Sequence, residues 1–382
     1  MKKQVFIFFS AASFVLFSFA AFNYLFDPLL MFNLTGTTKL KMFRKTNVYS
    51  RPHKAAQVDM IKPEILFLGT SRTQNGMDPK GLLKILDNNV SIYNTAINGL
   101  TIYELQKVFQ HAICNNSSAS FYIGLDLRIF NANDVKFRSD YDESIYKNSQ
   151  CYSNLFGKFK YLIRAPQFQD IKNIFSPFKF NYFTKYGVTT PESIQLGYEL
   201  FNEIKKQEEA YANKEYKDFK LSEAGLGIIE EILLESQKAN RKIVLFIPPA
   251  HFRMWEILDK SLGLEAFLNL KKRLVEINER VANKLEKSAY DFWDFATYHP
   301  LTTEKLPDSP DSDIKKLKYF WEISHFKTNL GNIMLQRMNN ISTPFDNFGS
   351  LVTSQNIEQK NQQLKHDLEL WKIKKGHEID PQ

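Results

Sequence analysis

The chain has 382 residues, 43% of them hydrophobic, with 17 Tyr and 33 Phe. That is ample for a sizeable core, and one α/β domain with an insertion is the natural expectation. The net charge is +8, but Lys and Arg are dispersed among acids, with no long basic run and no nucleic-acid motif, so nucleic acid is not an expected partner.

Residues 4–26 carry no charge and are rich in Phe, Ala, Leu and Val, with Lys2 and Lys3 before them. A bilayer-spanning helix needs about 20 such residues. A membrane anchor, a cleaved signal peptide and a buried helix all fit. Ser18-Phe19-Ala20 offers small residues of the cleavage type. The apolar run continues past it through Phe22, Tyr24, Leu25 and Phe26, which favours the anchor. Lys39, Lys41, Arg44 and Lys45 follow closely and, taken alone, place the body on the cytoplasmic side. Long domains, however, cross membranes largely regardless of charge. Residues 1–30 thus form the anchor or signal segment, and 31–61 a polar connector.

Five short apolar, β-branched or aromatic runs follow, at 64–69, 90–94, 121–125, 242–247 and 290–295. Such runs fill a buried parallel sheet. Helical patterns lie between them at 79–86, 101–113 and 224–237, and Phe267, Leu270, Leu274, Ile277, Val281 and Leu285 mark one helical face. The alternation predicts a doubly wound, flavodoxin-like parallel sheet of five strands, with ligands binding beyond the strands' carboxyl ends. Residues 131–222 break the alternation. They are aromatic and polar, with Phe137, Phe156, Tyr161, Phe178, Phe180, Tyr182 and Tyr186, and read as a mainly helical insertion. It covers the site, binds a chain-like substrate or is structural padding with its own small core. The domain closes near residue 345, and within the tail 346–382 residues 354–375 read as an amphipathic helix.

Cys114 and Cys151 flank the third predicted strand and the loop after it. A disulfide and two buried free thiols both fit, and no Cys/His spacing suggests a zinc site.

The chemistry clusters at predicted strand ends. The first strand ends in Gly69-Thr70-Ser71-Arg72. Gly69 permits a tight turn, and Ser71 would sit near a helix N-terminus, where backbone N–H groups favour negative charge. Alone, Gly-Thr-Ser reads as a helix cap or anion-binding turn. The second strand ends before Asn98-Gly99-Leu100-Thr101, where Gly99 lets backbone approach a ligand and Thr101 reads as an N-cap. Asp126, His251, Asp294 and His299 follow the later strands and would lie at the same rim. Far downstream, Glu322-Ile323-Ser324-His325 precedes an apolar helix at 330–338. His325 could serve as base for Ser71 and Glu322 as its orienter, which a serine nucleophile requires. A capping His with a surface glutamate is the bland alternative.

The pattern resembles the SGNH, or GDSL-type, hydrolase superfamily over residues 62–130 and 240–340. In that family a Ser after the first strand is the nucleophile. A Gly after the second strand and an Asn after the third complete the oxyanion hole, and a late Asp-x-x-His supplies base and orienter. Ser71, Gly99 and His325 match in order. Asp126 stands where the family has Asn, and Glu322 where it has Asp. The first change removes a hydrogen-bond donor and adds charge. The chain is also similar to membrane-anchored, extracytoplasmic members of bacterial envelopes, through Asn23-Tyr24, Asp27-Pro28, the Ser71-Arg72-Thr73 strand end and the Trp321, Ser324, His325 loop.

The resemblance implies an SGNH-type fold over 62–345, anchored in the inner membrane with the body in the periplasm. It implies acyl-ester chemistry on an envelope polysaccharide, either O-acetyl transfer or deacetylation. Ser71, His325 and Glu322 would be catalytic, and Arg72, Gly99, Asp126 and His251 would line the oxyanion rim. A membrane-bound acyl-donor protein is an implied partner, and no metal or organic cofactor is implied. Two other readings remain: a non-catalytic glycan-binding or assembly factor, and a lipid esterase at the membrane surface.

Overall fold

A computed structural model describes residues 2–27, 31–32, 50–86, 89–147, 150–152, 155–165, 183–189 and 199–378. Phe178, Phe180, Tyr182, the basic cluster from Lys39 to Lys45 and the backbone at Pro28 lie outside these residues, as does the side chain of Phe156.

The N-terminal apolar stretch is one helix, Lys2–Phe26. Its core has a mean hydropathy of 2.3 and none of it is buried inside the protein. At 1.5 Å per residue it spans about 37 Å, long enough to cross a bilayer. Its last turn is tied to the body. Asn23 Nδ2 donates to the carbonyls of Leu162 (2.8 Å) and Arg164 (2.6 Å) at the end of the helix Leu155–Ile163. Asp27 then accepts the N–H of Met31 at 2.7 Å, turning the chain.

The expected connector is partly a helix, Ser50–Ile61. Its Arg51, His53 and Lys54 are buried beside Ala55, Ala56 and Val58. Polar composition concealed it, because these side chains find partners inside the protein. Lys54 Nζ donates to the carbonyls of Asn94 and Gly187, and burial holds its pKa well below the ordinary lysine value.

The sheet contains β1 (Ile65–Leu68), β2 (Ile92–Asn94), β3 (Ser120–Gly124), β4 (Ile243–Ile247), β5 (Asp291–Asp294) and β6 (Ser350–Leu351). Their order is β2-β1-β3-β4-β5-β6. The first five are mutually parallel, in the expected flavodoxin-like order. The sheet is nevertheless mixed and six-stranded rather than five-stranded and parallel. After the helix Thr328–Met338 the chain returns along the β5 edge, and two residues pair antiparallel there. Helices Ile102–Asn115, Glu223–Lys238 and Leu264–Lys284 cover the sheet near the expected positions. Thr101 caps the first of them and forms a reciprocal capping box with Glu104. The tail helix Ile357–Glu378 packs Ile357, Leu364 and Leu368 inward.

The insertion is bounded by an antiparallel bridge between Asn131 and Leu221, so it leaves and re-enters at one point. Its described parts include the helices Leu155–Ile163 and Leu200–Ala210 and a π-helical turn Tyr211–Glu215. Cys114 and Cys151 form a disulfide across 37 positions, joining the end of the helix Ile102–Asn115 to this insertion. Closing a loop of that length restricts the unfolded chain. Replacing both cysteines with serine should therefore lower stability by about 3–4 kcal/mol, read as a shift in urea midpoint. An unchanged midpoint would show that the bond does not constrain the unfolded chain.

Candidate active site

Ser71 opens the short helix Ser71–Gly76, directly beyond the carboxyl end of β1. Gly69 makes the turn possible: its φ is +146°, and a Cβ there would meet Thr73 Oγ1 at 2.4 Å. The turn is braced from β2, where Asn94 Nδ2 donates to the carbonyls of Thr73 (3.0 Å) and Met77 (2.7 Å). Gln74 Oε1 accepts the N–H of Asn98 at 2.8 Å, joining this helix to the turn that carries Gly99.

His325 reaches Ser71 from the far end of the chain, with Nε2 2.8 Å from Ser71 Oγ. Its Nδ1 bonds Glu322 Oε1. An ionised carboxylate only accepts, so Nδ1 carries the proton and Nε2 is free to accept from the serine hydroxyl. Glu322 is buried and also accepts the N–H groups of Ser324 (2.7 Å) and His325 (2.9 Å). Burial alone would raise its pKa. The charge that His325 carries when protonated, together with these hydrogen bonds, outweighs burial and holds it below the ordinary value. The longer arm of Glu therefore folds back onto its own loop while still reaching the imidazole.

Asp126 follows β3 as expected, but is committed to neighbours. Its carboxylate pairs with Arg72 Nη1 at 3.1 Å and accepts the Thr70 hydroxyl. Arg72 is buried; burial would weaken its cation, but Asp126, Tyr211 and Tyr216 hold its pKa above the ordinary value. Arg72 Nε also approaches Ser324 Oγ at 3.4 Å, and Tyr211 lies 2.7 Å from the same oxygen. One polar network thus joins the turn after β1, β3, the histidine loop and the insertion.

These groups surround a cavity of about 270 Å³ lined by Ser71, Arg72, Gly99, Asp126 and His325. The π-helical turn and the helix before it cover one side through Gln207, Tyr211, Glu215 and Tyr216. Glu215 pairs with Arg128, another lining residue. Among the described residues, neither the Ser71 nor the Gly99 N–H has a hydrogen-bond acceptor. Both residues line the cavity.

His251 does not line this cavity, contrary to the rim expectation. It is buried, its Nε2 lies 2.8 Å from the Glu304 carbonyl, and its ring meets Phe320 and Trp371 edge-on. Pro248-Pro249 carries it past the rim, and its backbone N–H holds the Ile323 carbonyl at 2.9 Å. It therefore supports the histidine loop from behind. Asp294 and His299 are likewise structural: Asp294 pairs with buried Lys271 at 2.7 Å, and His299 contacts Asn347 at 3.1 Å. Sequence reasoning missed Tyr211, Tyr216, Arg128 and Glu215, which carry no motif. Among the described residues no cluster of His, Cys, Asp and Glu is arranged to hold a metal. No family model and no curated protein matches the chain.

Two predictions follow from these charges. Glu322 has a depressed folded pKa, so its stabilisation is present above its unfolded value of 4.5 and is lost as pH falls through the lower folded value. Urea midpoints taken from about pH 7 to about pH 3 should fall at the acid end in wild type, and less steeply in Glu322→Gln. Asp126→Ala leaves buried Arg72 unpaired and should cost about 3–5 kcal/mol. The double variant Arg72→Met with Asp126→Ala should recover part of that loss in the same assay.

Proposed function

We infer that the protein is an SGNH-like acyl-ester enzyme that works through a Ser71-His325-Glu322 triad. The observation that carries this reading is the relay itself: Ser71 Oγ, both ring nitrogens of His325 and Glu322 Oε1 in one hydrogen-bonded line. Ser71 Oγ attacks an acyl carbonyl carbon, and its proton passes to His325 Nε2. The tetrahedral intermediate collapses, the bond to the leaving oxygen breaks, and that oxygen takes the proton. An acceptor hydroxyl then gives its proton to His325, attacks the acyl-serine and releases Ser71, which regains the proton. Glu322 stabilises the imidazolium in both halves. No step calls for a metal or an organic cofactor.

The cavity of about 270 Å³ has room for a short acyl group such as acetyl. The acceptor we propose is a hydroxyl of an envelope polysaccharide in transfer, or water in deacetylation. The apolar N-terminal helix supports a single-pass anchor, and the disulfide supports an oxidising, extracytoplasmic location for the body, as in the periplasm. An acyl donor presented by a membrane-bound partner fits that placement.

Asp126 favours a second reading, a glycan-binding or assembly factor of envelope polysaccharide biosynthesis without turnover. Its carboxylate is engaged by Arg72 and Thr70 and supplies no hydrogen to an oxyanion. Labelling of the full chain with an activated serine-directed phosphonate separates the two. The enzyme reading expects one adduct in wild type, none in Ser71→Ala, and a rate reduced by about 10²–10⁴ in Glu322→Gln, whose amide supports the wrong histidine tautomer. No adduct in folded wild type, with glycan binding that survives Ser71→Ala and His325→Ala, would instead establish the binding role.

A further inference from the structure

Arg51 lies on the helix Ser50–Ile61, ahead of the first strand and outside the residues that carry the family resemblance. It is buried, and its guanidinium is fully committed. Nε and Nη2 both meet the Glu104 carboxylate at 2.9 Å, and Nη1 meets Asp140 at 2.8 Å. Nη2 also donates to the carbonyls of Asn98 (3.3 Å) and Gly99 (3.2 Å). Arg138 Nε holds the Gly99 carbonyl from a second direction at 2.9 Å. Glu104 is fixed in turn by the capping box with Thr101 and by the Arg138 N–H at 2.7 Å. The charges facing Arg51 are thus Glu104, Asp140 and Arg138.

The Asn98 carbonyl and the Gly99 N–H belong to one peptide unit. In a trans peptide these groups point in opposite directions. A guanidinium on the carbonyl side therefore turns the N–H away from itself. It also polarises the peptide, because hydrogen bonds in a chain strengthen one another. Gly99 has φ +64°, and its N–H, like that of Ser71, has no acceptor among the described residues. A non-glycine residue would be strained there, but glycine alone leaves the peptide free to rotate. Arg51 removes that freedom.

We propose that Arg51 is a positioning residue that clamps the Asn98–Gly99 peptide and aims and strengthens the Gly99 N–H as an oxyanion donor. This rests on the acyl-ester reading of the Ser71 site. It also assigns a role to the helix Ser50–Ile61, which completes the site from behind. The clamp has particular weight here because Asp126 supplies no donor, leaving the two backbone N–H groups to carry the oxyanion.

The test uses the full chain in detergent and a serine-directed phosphonate. Arg51→Lys keeps the charge but cannot bridge Glu104 and the two carbonyls at once. Its labelling rate should fall about tenfold to a hundredfold, less than the loss from deleting an oxyanion donor outright. The pH midpoint of labelling should stay at its wild-type position, because His325 and Glu322 are untouched. Loss of structure would instead shift the melting curve. A wild-type rate in folded Arg51→Lys overturns the clamp while leaving the triad intact. Wild type alone gives a second measurement. In 15N-glycine protein the Gly99 amide proton should move downfield when a boronic acid forms its anionic adduct on Ser71. An adduct with no Gly99 shift overturns the inference. Absence of any Ser71 adduct in wild type overturns the triad reading, and the clamp with it.

Discussion

The carboxylate of Glu322 is removed from water and surrounded by donors that come almost entirely from its own loop. It takes the Ser324 and His325 N–H groups and the His325 ring together. A buried charge with fewer partners would be costly, so the loop can take only conformations that keep all three bonds. The carboxylate thereby shapes the loop that presents His325, as well as orienting its ring. Behind it, the His251 N–H fixes the Ile323 carbonyl, and Phe320 and Ile323 fill the core. The separation between Ser71 and His325 is therefore set by two stiff supports, the end of β1 and this loop.

Much of this was legible in the chain because parallel strands bring their carboxyl ends to one edge. Five runs of the right composition sufficed to place Ser71, Gly99 and Asp126 together, and each observed strand starts and stops within a residue or two of its run. Histidines were harder. His251 follows the fourth strand but Pro248-Pro249 redirects it into the core, whereas His325, in a loop remote from any strand end, is held at the serine by Glu322. Proximity in sequence to a strand end does not encode that difference. β6 was invisible because a two-residue edge strand has no periodicity to read. The helix Ser50–Ile61 was hidden for the opposite reason. It has amphipathic length, but its inward residues include Arg51 and Lys54, whose burial makes sense only once their acceptors are known. Tyr211 and Tyr216 were present in an aromatic-rich insertion without any pattern to single them out.

The polar network under the cavity links parts of the fold that are distant in sequence. Arg72 touches the carboxylate after β3, the Ser324 hydroxyl beside His325 and, through that serine, the tyrosine of the insertion. The insertion is therefore part of the cavity's electrostatic frame, which favours a covering role over padding. Asp126 gains its place in the same frame. The carboxylate balances the buried arginine that follows Ser71 and holds it at the cavity wall.

Asn23 gives the apolar helix a consequence beyond attachment. Its side chain grips the end of the helix Leu155–Ile163, so the junction between the apolar helix and the body is bonded through a side chain as well as through the backbone. A domain on a slack leash sweeps a hemisphere and meets its target in three dimensions. A domain gripped at the joint keeps one face toward the lipid and its cavity at a constant height. With the helix in a bilayer, the motions left to it are lateral drift and spin about the membrane normal. Any encounter at the bilayer surface would then be a two-dimensional search.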